Sequence, residues 1–127
     1  MNIFRPITAF ALAALCTAPA AAVDESPFLV RTAGDLATLC SATANSTNGT
    51  AAIHMCEGYI VGVHQLHTAM MSKSKSGGLY CVPQKGVPSR NEVAVEFARW
   101  VRSSPGIASL PAVEGLMRWA ASRFPCS

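Results

Sequence analysis

Apolar residues are distributed in two ways along this chain. The first is a run at 7–15, dominated by alanine, leucine and phenylalanine with Thr8 its one polar residue, preceded by Arg5 and followed by Ala20, Ala21 and Ala22. That order of charge, apolar run and small residues predicts a secretory signal at 1–22, with cleavage between Ala22 and Val23. The run is too short to span a bilayer. Lipid anchoring at Cys16 is opposed by Leu15, a bulky residue where a small one is wanted.

Beyond residue 22 the apolar positions become periodic, with helical spacing. A first helix is predicted over 33–44, capped by Thr32 with Asp35 near its positive end, and with Leu36, Leu39 and Cys40 on the buried face. Asn45 to Gly49 form a turn. A second helix follows over 50–71. Ile53, Cys56, Ile60, Val63, His67 and Met70 recur at steps of three and four, a seam facing another helix, and Met55, Tyr59 and Leu66 widen it. This helix carries few charges, so it is expected to be the central and most buried one. Gly58 and Gly62 each cost about 1 kcal/mol relative to alanine in a helix, which close approach of a neighbouring backbone would offset.

The polar segment 72–78 reads as a flexible loop, and 79–88 as an extended connection with Pro83 and Pro88 opposing helix. Ser89 and Glu92 form a capping box that opens a third helix, with Val93, Phe97, Trp100 and Val101 facing inward. Ser103, Ser104, Pro105 and Gly106 stop it. A fourth helix takes Pro111 into its first turn and carries Val113, Leu116, Met117, Ala120 and Phe124 on its inner stripe. Pro125 ends it. The fold class expected is all-α: a small four-helix bundle-like domain at 23–127, closed by two disulfides.

Composition narrows the chemistry. About 105 residues remain after the signal, enough for one core. Nine basic and seven acidic residues leave a net charge of only +2. Aromatics do not interleave with the basic positions, so a nucleic-acid partner is not indicated. No later run is long and apolar enough for a membrane span. Four cysteines remain, Cys40, Cys56, Cys81 and Cys126, an even number in a small exported chain, without paired zinc knuckles. Antiparallel helix packing favours Cys40–Cys56 and Cys81–Cys126 over the two other pairings, which the sequence leaves open.

A catalytic or metal constellation does not emerge, and no cofactor is expected. His64 and His67 lie three apart, but His54 is about 15 Å away along the same helix and supplies no third ligand. His67 is expected in the seam, satisfied by a hydrogen bond, with His64 facing solvent or a partner. Glu92 has its capping role, and Glu96 can pair with Arg99 on the surface. The expected partner-binding residues are Lys73 and Lys75, a basic spot on the 72–78 loop, with Leu79 and Tyr80 as an apolar anchor beside them.

These residues also carry a family pattern. Gly34-Asp35-Leu36 leading to Leu39-Cys40, the block from Cys56 to Val63, Cys81-Val82-Pro83, Gly86-Val87 and the ending Phe124-Pro125-Cys126 together resemble the Tai/Rap family. Its members are immunity proteins of type VI secretion systems. The resemblance covers about 33–126. It implies a periplasmic, helical, disulfide-bonded protein, often a homodimer, that binds a secreted peptidoglycan amidase effector from neighbouring cells and blocks its active site. The rival function is an acid-stress chaperone of the HdeA-like type, also small, helical and periplasmic. Such a chaperone would depend on carboxylates that protonate to change its assembly. The acids here read instead as caps and surface groups.

Overall fold

A computed structural model describes residues 25–72 and 77–127. The proposed signal peptide, its cleavage site and Cys16 lie outside these residues, as do Lys73 and Lys75. Four helices follow a short 3-10 turn at Ser26–Leu29: α1 (Ala33–Cys40), α2 (Gly49–Met71), α3 (Arg90–Ser103) and α4 (Ala112–Arg123). Among the described residues the only β pairing is an isolated antiparallel bridge between Thr32 and Pro111. The all-α expectation holds, and both disulfides take the favoured pairing, Cys40–Cys56 and Cys81–Cys126.

Helix starts follow their capping chemistry. The Thr32 side chain accepts from the Asp35 N–H at 3.1 Å, and the Asp35 carboxylate accepts from the Thr32 N–H at 3.1 Å. Ser89 and Glu92 repeat the exchange at α3. Each box satisfies backbone donors that the first helical turn would leave unpaired. α4 begins one residue later than its proline suggested. Pro111 stands at the cap, because the Ala112 N–H donates to the Arg31 carbonyl while the Ala33 N–H donates to Leu110. The starts of α1 and α4 are thereby tied side by side.

α1 ends at Cys40 rather than reaching Ala44. The chain turns back so tightly over 43–49 that a Cβ on Gly49 would lie 1.8 Å from the Thr43 carbonyl oxygen. Asn48 sits at φ 57°, a left-handed conformation that asparagine tolerates. The guanidinium of Arg102 donates to the Ser41 hydroxyl at 2.6 Å, fixing the fraying end against α3.

The expectation that α2 would be the central helix is overturned. α1 occupies the centre, packed against α2, α3 and α4. Its Leu36 and the facing Phe97 of α3 are fully buried, and Trp119 of α4 meets Phe97 and Phe124 edge-on, each at 5.9 Å between centroids. Trp119 had no place in the predicted stripe, whereas Val113, which did, is exposed. On α2 the seam holds from Cys56 through His67, with Ile53 half-buried, and fails at Met70, which is 59% exposed. Met55 and Leu66 also face outward. Among the described residues nothing lies within 4 Å of a Cβ built on Gly58 or Gly62, so no neighbouring backbone approaches there. The close approach is made instead by Gly115, where a Cβ would come within 2.5 Å of the Ala33 Cβ. On the surface, Glu96 pairs with Arg123 of α4 at 2.8 Å rather than with Arg99, and Arg118 pairs with Glu114.

Candidate functional site

The end of α2 and the connection that follows it form a clasp. His67 is buried, 8% exposed, and its Nε2 accepts from the Leu79 N–H at 3.0 Å. The neutral ring therefore carries its proton on Nδ1. Its face stacks on the Tyr80 ring, 4.0 Å between centroids and nearly parallel. The Tyr80 hydroxyl shares a hydrogen bond of 3.1 Å with Nδ1 of His64. Gly78 passes so close that a Cβ there would lie 2.9 Å from the His67 ring. Immediately afterwards the Cys81 N–H donates to the Phe124 carbonyl at 2.8 Å, and the Cys81–Cys126 bond ties the same point to the chain end. The loop at 72–78 thus runs between α2 and a firmly held exit.

Burial has two electrostatic consequences here. It holds the His67 imidazole below its ordinary pKa, with the nearby His64 charge adding to the effect. It also raises the Tyr80 phenol. Both shifts keep the His67 and Tyr80 side chains uncharged near neutral pH.

The expected partner-binding residues are placed differently from one another. Leu79 is 63% exposed, next to the loop. Tyr80 is 6% exposed, its ring turned against the histidines. Its hydroxyl and ring face are both in use, so it ties the connection after the loop to α2. One nitrogen of each histidine is engaged by the clasp, and no group of three metal-ligating side chains occurs among the described residues.

A second feature escaped the sequence reading. α2 leans on α1 and α3, and α4 leans on the same two helices. Between α2 and α4 an apolar cleft of about 150 Å³ remains. Leu116, Trp119 and Phe124 line it from α4 and the chain end, Val61 from α2, and Val87 from the connection, while Arg90 and His64 border it. No local signal could have revealed it, because its lining comes from four separate segments. Val87 and Arg90, flanking the capping residue Ser89, looked like ordinary loop and helix-start positions.

The third feature is the outer face of α2. Ala51, Gly58, Gly62 and Ala69 share one side, with Met55 and Leu66 beside them, and all are exposed. Glu57 is the only charged side chain of the helix apart from its histidines, and it lies on the flank. No helix among the described residues is long and apolar enough to cross a membrane.

Disulfides engage all four cysteines of the described domain, and Asp35, Glu92, Glu96 and Glu114 are engaged in caps or surface pairs. The arrangement is a closed scaffold that presents apolar surface, which is equipment for binding. Comparison with known proteins agrees in kind. The family model described as Rap1a immunity proteins matches residues 32–126. No curated protein and no solved structure matches the chain. The matched span runs from the α1 cap through both disulfides to Cys126. The chain belongs to the Rap1a immunity protein family.

Proposed function

We propose that this protein is a periplasmic immunity protein that binds and inhibits a secreted peptidoglycan amidase delivered by type VI secretion. The observation that carries this reading is the family match over the whole disulfide-closed domain. The signal-like sequence at 1–22 and the two disulfides, which persist in oxidising surroundings, support that compartment. The loop at 72–78 makes the inhibitory contact. Lys73 and Lys75 steer it toward an acidic rim, Leu79 supplies exposed apolar surface, and Tyr80 holds the exit in place. The bare face of α2 joins two copies into a homodimer, its small residues allowing close helix approach and its lack of charge avoiding self-repulsion. The chaperone alternative gains nothing from Asp35, Glu92, Glu96 and Glu114, which serve caps and surface pairs.

The test is protection in cells. A bacterium that makes the cognate amidase in its periplasm lyses; co-expression of this protein with residues 1–22 prevents lysis, and the version lacking them does not. Lysis in the presence of correctly exported, disulfide-bonded protein would contradict the proposal.

A further inference from the structure

The cleft between α2 and α4 has a size, a chemistry and a bordering charge that together describe an occupant. Its volume of about 150 Å³ suits one aromatic ring or branched aliphatic side chain. Its lining is almost wholly apolar, so water entering it finds few partners. At its border stands Arg90, exposed, in the first turn of α3, with no ion-pair partner among the described residues. His64 stands at the border as well, but its Nδ1 is engaged by Tyr80. A lone cation beside an apolar slot selects for an apolar group that carries a negative charge next to it.

We infer that the cleft is an anchor pocket for one phenylalanine- or leucine-sized side chain of the secreted effector, with an adjacent carboxylate of that protein meeting Arg90. This rests on the proposed function for the identity of the partner. The cleft and the clasp share His64 and Tyr80, so a side chain seated in the cleft lies beside the residues that hold the loop exit. Side chains seated in desolvated pockets dominate many interfaces, and arginine is favoured beside them.

Two measurements test this and separate it from the proposed function. In the first, N-acetylphenylalanine, which carries both a ring and a carboxylate, is titrated into the full mature protein. Trp119 fluorescence and methyl NMR signals report on the cleft. Saturable shifts are expected at Val61, Val87 and Met117, weaker by several-fold for the corresponding amide. Arg90→Gln should abolish that difference, and Val61→Trp, which fills the cleft, should abolish the shifts. Shifts located elsewhere, or equal binding of acid and amide to the parent, would overturn the inference.

In the second, the cognate effector is bound to the parent and to both variants, with melting curves confirming that each variant is folded. Val61→Trp is expected to weaken effector binding at least tenfold and Arg90→Gln about fivefold to tenfold. A parent that binds the effector while both folded variants bind equally well sinks the anchor pocket and leaves the proposed function standing. A parent that takes up the probe but binds no effector sinks the proposed function and the effector as occupant together.

Discussion

α1 and α2 are neighbours joined by a disulfide, yet they use their apolar residues in opposite ways. α1 has eight residues and buries Ala33, Leu36, Ala37, Leu39 and Cys40. α2 has 23 residues and buries only Gly49, Ala52, Cys56 and His67. The shorter helix is surrounded on three sides; the longer one leans on the bundle along one edge and leaves Met55, Leu66 and Met70 in solvent. Hydrophobicity beyond what folding requires is a mark of a surface meant for something else. The glycines tell the same story. Gly115 is needed for helix contact, whereas Gly58 and Gly62 weaken α2 without any contact inside the described domain.

The comparison can be broken most forcefully at the covalent ties. Replacing Cys81 and Cys126 by serine removes a bond spanning 45 residues and is expected to cost about 4 kcal/mol of stability, measured by urea unfolding. The Cys40–Cys56 bond, spanning 16, should cost about 3 kcal/mol. Equal stability of the reduced and oxidised protein would show that these bonds do not restrain the unfolded chain.

Next come the two helix faces. Leu36→Ala on α1 should destabilise the fold by about 3 kcal/mol. Leu66→Lys on α2 should leave monomer stability within about 0.5 kcal/mol. In sedimentation, the same Leu66 change should convert the proposed dimer to monomer. A large stability loss at Leu66 would mean that α2 packs within its own chain after all.

The glycines sharpen the contrast at smaller scale. Gly115→Ala forces α1 and α4 apart and should cost about 2 kcal/mol. Gly62→Ala meets open space on a helix and should gain about 1 kcal/mol in monomer stability.

The smallest effect is that of pH on the clasp. The folded-state pKa of His67 is depressed by burial and by His64, so the unfolded chain takes up a proton first as pH falls. Its stabilising contribution is present above the ordinary histidine value of about 6.5 and is lost as pH falls through the folded value. Protonation also turns the Nε2 acceptor into a donor facing the Leu79 N–H. Urea unfolding between pH 7.5 and 5 should show this decline, and His67→Gln should flatten it.

Much of the fold was legible because its signals are local. The Thr32 and Ser89 boxes, the helical periodicity and the even set of cysteines each depend on a few adjacent residues or on a count. What misled was the inference from hydrophobicity to burial. Periodic apolar positions on α2 show that it is a helix, but its neighbours decide how much of it is covered. The same limit applies to Trp119, whose inward direction depends on Phe97 and Phe124 from elsewhere in the chain. The cleft was invisible for that reason too, since Val61, Val87, Arg90 and Leu116 converge only after folding. His67 was the exception: its place in the seam, with a hydrogen bond to satisfy it, followed from spacing alone.

Membership of an immunity-protein family implies that this domain acts by binding a secreted effector. The direct measurement of that binding is a titration of the purified, oxidised protein into the secreted amidase proposed as its partner, following release of peptide from peptidoglycan. Cleavage should fall linearly to zero at one immunity protomer per amidase, and the immunity protein alone should release nothing. Undiminished cleavage at a several-fold excess of folded protein, or cleavage by the protein itself, would contradict that role.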